Sequence, residues 1–334
     1  MSIKYNKTLL KGGSLAGTYL MENSHTNEKF VRKEICLVNN REYGYQRWYS
    51  QMKKIQRYEV LFPGLFPSFL GCGILEDQHL AFFDMEFIKN AENCHDYVSS
   101  LSNLENVKNV HEKIVEAMDR MHSRQLVSNP SSIELYIEEE INRKLADCLL
   151  DEEFKEFYEY NTVALNGRSV PSLSRSISDF ISGSLELYNI SQECFTHGNI
   201  TLENLLYSEE QDRIYFIDPY EENIIDNCYN EYSQILQSSN SHYEVYNAST
   251  PTIEGNNIIS HIEIPAGITK FNELFLSRIN ETLSPHEIRI VKFFEISQFI
   301  RMLPFKLHVD REKMFLFYAV ASCLVSDFLY EGAS

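Results

Sequence analysis

The chain lacks the features that mark several protein classes. Its seven cysteines are odd in number, scattered, and without a C-x-x-C pair. This argues against a disulfide framework or a zinc site and for reduced thiols in a cytosolic setting. Basic residues are also few, with 30 Lys and Arg against 48 Asp and Glu, so the formal net charge is −18. A charge of this sign disfavours nucleic acids and anionic membrane surfaces as partners.

Long hydrophobic runs are missing as well. The longest, Phe315 to Val325, is shorter than the roughly 20 residues that a membrane-spanning helix needs, so it predicts a buried helix. The first residues show no signal-peptide pattern, and the chain contains no internal repeat or low-complexity tract. We therefore expect a cytoplasmic protein with no membrane span. Its 334 residues, 43% of them hydrophobic, are enough for a large core in two unequal lobes.

The most informative stretch is FTHGNITLENLLYSEEQDRIYFIDPY, residues 195–220. It contains His197, then Asn199 and Asn204, and fourteen residues later Asp218 closes an apolar strand. Amide and carboxylate oxygens are the hard ligands that suit Mg²⁺. Phosphoryl transfer needs metal ligands, donors for the phosphate charge, and an acceptor that aligns the attacking hydroxyl.

The N-terminal segment offers the complementary half of a phosphate site. A glycine-rich loop is formed by Gly12, Gly13, Ser14 and Gly17, between two strand-like runs. Glycine lets the backbone approach phosphate oxygens closely, although a plain hairpin turn has the same composition. Sixteen residues after Gly17, Lys33 is the candidate for phosphate contact. Arg32, on the opposite face of the strand, is the other candidate for this contact. If neither residue contacts phosphate, both are solvated charges on a small antiparallel sheet.

A helix is predicted over residues 40–60, with Tyr45, Trp48, Tyr49 and Met52 at helical spacing. The residue of this helix that would pair with Lys33 is either Gln51, as a polar substitute for an acid, or Glu42. Strands are predicted near 69–74 and 79–83. Residues 84–88 resemble the hinge between the lobes of a kinase, which implies that backbone groups of Met85 and Phe87 would meet an adenine edge. The alternative for the hinge is a buried strand end.

The run from His197 to Asn204 resembles the kinase catalytic loop H-x-D-x-x-x-x-N. Together with the Ile-Asp-Pro at 217–219, it is similar to the aminoglycoside phosphotransferase and choline kinase family. The resemblance implies a bilobal, kinase-like α+β fold: a small antiparallel-sheet N-lobe over residues 1–88 and a larger, mostly helical C-lobe over residues 89–334. It also implies Mg²⁺ as cofactor, bound by Asn204 and Asp218, and ATP or GTP as phosphoryl donor.

Position 199 departs from this family. Where the family has an Asp that accepts the proton of the attacking hydroxyl, this chain has Asn199, whose amide has negligible basicity. Loss of a positioned base typically costs roughly 10²–10⁴ in rate. Three explanations stay open: an engineered inactive variant, a natural pseudokinase that binds nucleotide or acts as a scaffold, and an enzyme that works without the carboxylate. His197 is expected to hold the loop by hydrogen bonds.

A second, looser resemblance concerns the acceptor. The sequence around Asp226, Gln237, Tyr243 and Glu244, with residues 301–306, resembles phosphotransferase-like proteins of bacterial capsule and surface-glycan gene sets. It implies that the acceptor is a sugar, polyol or glycan precursor, bound near Gln237, Tyr243 and Glu244. The alternative is that Tyr243 and Glu244 only brace the loop.

Beyond the hinge the sequence predicts mostly helices. An apolar face runs through residues 104–126, and further helices are expected over 131–150, 172–187, 225–237, 269–280, 285–302 and 310–329. Residues 161–171 are expected to be a loop or insertion. Ser284 and Glu287 flank Pro285 at a helix start, which is a strong N-terminal signal.

Overall fold

The computed structural model describes residues 4–10, 16–38, 41–129, 131–187 and 192–330, and within them the protein is α+β. Its strands are β1 (Tyr5–Leu9), β2 (Ala16–Asn23), β3 (Lys29–Cys36), β4 (Phe69–Leu75), β5 (Leu80–Glu86), β6 (Ala91–Asn93), β7 (Gln125–Val127), β8 (Thr162–Leu165), β9 (Arg168–Pro171), β10 (Gln192–Cys194), β11 (Leu205–Ser208), β12 (Arg213–Phe216), β13 (Thr252–Glu254) and β14 (Asn257–Ile259).

The described α-helices have 5 to 21 residues, and all but the first lie after residue 93. They are α1 (Arg41–Leu61), α2 (Cys94–Ser100), α3 (Leu104–His122), α4 (Ser132–Tyr136), α5 (Arg143–Cys148), α6 (Glu152–Tyr158), α7 (Leu173–Leu187), α8 (Cys228–Ser239), α9 (Tyr243–Ala248), α10 (Ala266–Thr282), α11 (Pro285–Arg301), α12 (Leu303–Val309) and α13 (Arg311–Tyr330). A π-helical turn, Ile137–Asn142, joins α4 to α5.

The chain folds into two compact units. The first unit contains residues 1–94, 197–199 and 204–223, and the second contains 95–196, 200–203 and 224–334. The first unit therefore extends past the boundary predicted after Ile88 and includes two later segments. Those segments carry His197, Asn199, Asn204 and Asp218, so the residues of the predicted phosphate and metal site belong to one unit.

The first unit is built on an antiparallel sheet of order β1-β2-β3-β5-β4. Helix α1 packs on this sheet and contributes Trp48, Met52 and Ile55 to a small core with Ile35 and Phe83. A second sheet in the same unit has the order β12-β11-β6. It holds the strand that leads into Asp218.

The second unit is mostly helical and contains the large core. Helices α11 and α13 lie in its centre, because nearly every residue of each between 290 and 300 and between 313 and 323 is buried. Two small sheets, β10-β7 and β13-β14-β8-β9, belong to this unit. The apolar face predicted for α3 is confirmed, since Val107, Val110, Ile114, Ala117, Met118 and Met121 are all buried.

Two predictions of local structure were wrong. Residues 161–171 are a β-hairpin, β8 and β9, whose turn residues Asn166 and Gly167 both have positive φ (51° and 84°). An Asn-Gly pair favours such a two-residue turn, and this signal was overlooked. The helix over 104–126 ends at His122 and is followed by β7. The helix predicted over residues 40–60 is confirmed as α1, in which Trp48 and Met52 are buried and Tyr45 and Tyr49 are exposed (40% and 44%).

The apolar C-terminal run is a core helix, as predicted. Within the described part of the chain, α13 is the one helix whose length and composition would allow a membrane span, and 72% of its apolar window is buried inside the protein. All seven cysteines are free thiols, which agrees with the expectation of no disulfide framework.

Candidate phosphate and metal site

Strand β3 presents Lys33 and Arg32 on opposite faces of the five-stranded sheet. Side chains alternate along a strand, so Lys33 shares its face with Ile35, which belongs to the core that α1 covers. Lys33 is only 7% exposed. On the other face, Arg32 forms a two-point ion pair with Asp84 of β5, at 2.7 and 2.8 Å. Arg32 is therefore engaged within the sheet, and Lys33 is the basic residue on the side of α1.

Asp218 follows β12 and receives two donors at one oxygen. Lys33 Nζ and Gln51 Nε2 both donate to Oδ1, the second at 2.6 Å. Burial by itself would raise the pKa of the Asp218 carboxyl, but the charge and hydrogen bond of Lys33 outweigh it, so the pKa lies below its usual value. The carboxylate is thus ionised at neutral pH. Its backbone has a φ of 58°, an uncommon conformation for a residue with a side chain, and such strain concentrates at functional sites.

Gln51 is the residue on the predicted helix that was expected to replace an acidic partner of Lys33. It lies on α1, is 4% exposed, and its amide also donates to the carbonyl of Pro219 at 3.2 Å. An amide can donate to Asp218, whereas a carboxylate at this position would face a second negative charge. The observed partner of Lys33 is therefore Asp218, with Gln51 as a second donor. The side chain of Glu42, the other candidate, lies outside the described residues.

His197 holds the loop by hydrogen bonds, as expected. Its ring is fully buried, Nε2 lies 2.8 Å from the carbonyl of Ile217, and Nδ1 accepts from the backbone N–H of Asn199 at 3.2 Å. One nitrogen must donate and the other accept, which corresponds to a neutral imidazole. The ring also stacks on Phe66 and meets Phe216 edge-on. It therefore ties the loop to the strand that ends before Asp218.

Gly198 and Lys54 fix the backbone around this histidine. Gly198 has a φ of 86°, and a side chain there would collide with the amide of Asn223 and lie 3.0 Å from the carbonyl of Tyr220. Lys54 Nζ donates to the carbonyls of His197, at 3.2 Å, and Tyr220. The N–H of Tyr220 also bonds to the His197 carbonyl at 3.0 Å. The segment after Asp218 and the start of the loop are thus clamped together.

Asn199 and Asn204 are the two loop residues for which the sequence predicts chemical roles. Asn199 is exposed, and its backbone carbonyl accepts a hydrogen bond from Asn204 Nδ2 at 2.8 Å. This bond uses the nitrogen end of the Asn204 amide, so Oδ1 is the end that can serve a cation. The Asn204 carbonyl accepts from the N–H of Ile217 at 3.0 Å, which places the backbone of Asn204 beside the residue preceding Asp218.

The predicted nucleotide loop is described only at its end. Gly12, Gly13 and Ser14 lie outside the described residues. Gly17 lies near the start of β2, opposite Glu34 of β3. A side chain at Gly17 would lie 2.6 Å from the ring of Tyr19, which already covers this position.

The predicted hinge is largely strand. Residues up to Glu86 belong to β5, and Met85 is paired with Val31 on one side and Phe69 on the other. The Met85 side chain is buried in the small core, which is the alternative noted for this segment. Phe87 is the first residue beyond the strand and is half-buried. It is better placed than Met85 to offer backbone groups to a ligand.

Of the predicted acceptor residues in the second unit, Glu244 braces the loop. The N–H of Leu202 donates to Ser238 Oγ at 3.0 Å, and that hydroxyl donates to Glu244 Oε1 at 2.6 Å. The other oxygen, Oε2, is buried and has no hydrogen-bond partner among the described residues. Burial and the nearby Glu203 raise the pKa of Glu244 to about 8. Its carboxyl is therefore largely protonated at neutral pH.

The other two predicted acceptor residues are also buried. Gln237 Nε2 lies 3.6 Å from the sulfur of Met302. Tyr243 packs its ring 5.8 Å from the ring of Phe317, and the amine of Lys306 lies 5.8 Å from its centroid. The structure therefore groups all three predicted acceptor residues in the second unit. Their role in binding an acceptor stays a prediction.

Two residues of the site were missed by sequence reasoning. Lys54 lies three residues after Gln51 on α1, so both share one face of that helix, and this spacing was a usable signal. Glu221, three residues after Asp218, has a side chain that is only 2% exposed. Its position in a charged, polar stretch gave no indication that it would be buried.

The residues present suit a magnesium ion only with the help of a phosphate ligand. Among the described residues, no three His, Cys, Asp or Glu side chains cluster as a metal site. Asp218 and Asn204 supply one carboxylate and one amide oxygen. Mg²⁺ is commonly held by one or two carboxylates, with phosphate oxygens and waters completing its octahedral shell. Binding of a magnesium–nucleotide complex by Asp218 and Asn204 stays a prediction.

Comparison with known proteins assigns this chain to no family. No family model matches the chain, and no curated protein matches it. The resemblance to small-molecule kinases consequently remains a hypothesis based on residues 195–220 and the contacts described above.

Proposed function

We propose that this chain is a magnesium- and nucleotide-dependent phosphotransferase of the small-molecule kinase type, with Asn199 in the position of the proton acceptor. The observation that carries the proposal is the meeting of Lys33, Gln51 and Asp218 in one compact unit with the loop that contains His197 and Asn204. These are the residue types that phosphoryl transfer requires, on a loop held by buried hydrogen bonds.

Each residue then has a defined task. Lys33 would donate to phosphate oxygens of ATP or GTP, and Asp218 and the Asn204 oxygen would hold Mg²⁺. When bound, the ion would neutralise charge that develops on the transferred phosphoryl group. His197, Gly198 and Lys54 keep the loop backbone in register with the strand before Asp218. Asn199 lies where the acceptor hydroxyl should approach.

The acceptor proposed is a sugar, polyol or glycan precursor. A protein of net charge −18 repels polyanionic acceptors, whereas neutral carbohydrates are indifferent to that charge. The absence of disulfides among seven cysteines agrees with a cytoplasmic setting. Gln237, Tyr243 and Glu244 are the residues proposed to lie near the acceptor.

A second candidate is a nucleotide-binding or scaffolding module without catalysis. It is favoured by one observation: the side chain at position 199 is an amide, which cannot accept the proton of a hydroxyl. In that case the same nucleotide site is occupied, and no phosphoryl group is transferred.

Titration calorimetry with ATP and GTP, each with and without Mg²⁺, tests the shared part of both candidates. We expect binding that strengthens with Mg²⁺ and a rise in melting temperature, since a ligand of the native state must stabilise it. The matched controls are Lys33→Met, which should lose affinity, and Arg32→Met, which should not. Absence of heat and of a thermal shift with either nucleotide would exclude a kinase-type site.

A further inference from the structure

The middle of the loop 197–204 is buried inside the second unit. Ile200 and Leu202 are fully buried, and Thr201 between them is buried as well. These residues lie outside the α-helices and strands, so no sheet or α-helix supplies acceptors for their backbone N–H groups. A buried N–H group that has no acceptor is costly. Other groups therefore have to supply the acceptors.

Helix α8 supplies two of these acceptors from one face. The N–H of Ile200 donates to Gln234 Oε1 at 2.8 Å, and the N–H of Leu202 donates to Ser238 Oγ at 3.0 Å. Gln234 and Ser238 are four residues apart, so they lie on the same side of the helix. Both side chains are buried, so water does not compete for these hydrogen bonds.

The Ser238 hydroxyl is oriented by a third side chain. It donates its own proton to Glu244 Oε1 of α9 at 2.6 Å. A hydroxyl that donates to one group presents its lone pairs to other groups. Glu244 therefore holds Ser238 as an acceptor for the N–H of Leu202.

The two N–H groups lie between the loop residues for which the sequence predicts chemical roles. Asn199 directly precedes Ile200, and a 3₁₀ turn, Leu202–Asn204, begins at the residue that Ser238 binds. The first N–H groups of a helical turn have no partner within the turn, so the Ser238 hydroxyl caps this turn. The relative positions of Asn199 and Asn204 therefore depend on the short segment that α8 holds.

We propose that Gln234 and Ser238 are positioning residues that hold the loop so that Asn204 presents its amide oxygen to the metal ion and Asn199 faces the acceptor hydroxyl. The inference rests on the proposed function, since it assigns the residues that keep the proposed metal-binding loop in shape. Neither residue is expected to touch nucleotide, metal ion or acceptor. Both act through the backbone of the loop.

The test uses the full chain and compares Ser238→Ala with Ser233→Ala. Ser233 is a fully buried serine on the same helix, but its hydroxyl donates to the carbonyl of Asn230 at 2.6 Å. ATP affinity is measured by calorimetry in EDTA and in excess Mg²⁺, and melting temperatures are measured without ligand. The gain in ATP affinity on adding Mg²⁺ is the readout that reports on Asn204.

In Ser238→Ala this magnesium gain should fall about three- to tenfold, because the N–H of Leu202 loses its acceptor and the turn that ends at Asn204 relaxes. ATP affinity in EDTA should not change. Gln234→Met removes the acceptor of the Ile200 N–H, keeps a side chain of similar size, and should reduce the gain to a similar extent. Ser233→Ala should keep the full gain, whatever its melting temperature.

The magnesium gain separates positioning from a role in stability. A parental gain in Ser238→Ala would overturn the inference and leave the proposed function intact, and Gln234→Met decides in the same way if Ser238→Ala does not fold. An equal loss of the gain in Ser233→Ala would show that the effect follows stability, and it would also overturn the inference. If the parent protein shows no magnesium gain, the proposed function fails and the inference fails with it.

Discussion

Lys33 and Asp218 form an ion pair across 185 residues of sequence, and both belong to the same compact unit. The lysine is supplied by a central strand of the five-stranded sheet and the aspartate by the end of β12. Because Gln51 donates to the same oxygen, Asp218 is held by one charged and one neutral donor. This arrangement makes Asp218 the residue on which the proposed phosphate and metal functions depend.

Replacing Asp218 with Ala should uncouple nucleotide binding from magnesium. The change removes the only carboxylate proposed to hold the ion, so the affinity for ATP should become nearly independent of Mg²⁺. It also leaves the buried Lys33 amine without its partner, which should lower the free energy of unfolding by about 1–3 kcal/mol. Calorimetry at several magnesium concentrations and urea denaturation measure the two effects.

The control for that variant is Asp84→Ala, which breaks the Arg32 ion pair on the other face of the sheet. It should lower stability and leave the magnesium dependence unchanged. If Asp218→Ala keeps the full magnesium dependence, the metal site lies elsewhere.

Asn199→Asp should create or restore catalysis. The two side chains are nearly isosteric, and the carboxylate adds the acceptor that the attacking hydroxyl needs. We expect kcat to rise about 10²-fold or more with little change in nucleotide affinity, because the residue is proposed to face the acceptor hydroxyl and not the nucleotide. A coupled assay over a panel of sugars, polyols and amino alcohols measures this.

The outcomes of the Asn199→Asp assay separate the candidates. An Asp form as inert as the Asn form would favour a non-catalytic nucleotide-binding module. Ordinary turnover by the Asn form would show that position 199 is not the proton acceptor. Asn106→Asp, at an exposed position in the first turn of α3, controls for the added charge.

Gly198→Ala should destabilise the protein more than Gly167→Ala. Both glycines have φ near 85°, so each substitution carries the left-handed backbone cost of about 1–2 kcal/mol. At Gly167 an added methyl group meets nothing within 4 Å, whereas at Gly198 it collides with the Asn223 amide. The Gly198 variant should therefore lose about 1–3 kcal/mol more. Urea denaturation of both proteins measures the difference, and equal losses would contradict the crowding seen around the loop.

With Glu244→Gln, the free energy of unfolding should fall less between pH 5 and pH 8 than it does in the parent protein. The folded chain holds the Glu244 proton up to a pKa of about 8, whereas the unfolded chain releases it near 4.5. Between these values the folded state binds more protons, so stability falls as pH rises, by about 1.4 kcal/mol per pH unit from this one group. The glutamine variant cannot release that proton.

Unfolding free energies at pH 5, 6.5 and 8 measure the Glu244 effect, with the exposed Glu254→Gln as control. The difference between Glu244→Gln and the parent protein should grow in favour of the variant as pH rises. A difference that is constant with pH would mean that the buried carboxyl does not stay protonated.

The sequence predicted those elements whose signals are local. The apolar face of α3 repeats every three to four residues, and the capping box of Ser284 and Glu287 is complete within one turn, so neither needed the rest of the chain. The order of residues over 195–220 likewise predicted His197, Asn204 and Asp218 as candidate site residues. The Asn166-Gly167 turn was also a local signal, and it was overlooked.

Only the tertiary structure decided which of these residues meet. The pairing of Lys33 with Asp218, the clamp of Lys54 on the His197 and Tyr220 carbonyls, and the burial of Glu221 join segments separated by more than a hundred residues. Sequence spacing is silent on such pairs, because their distance is set by how strands and helices pack and not by the chain between them. Local periodicity therefore determined the helices and strands, whereas long-range packing determined which charged residues lie beside the loop.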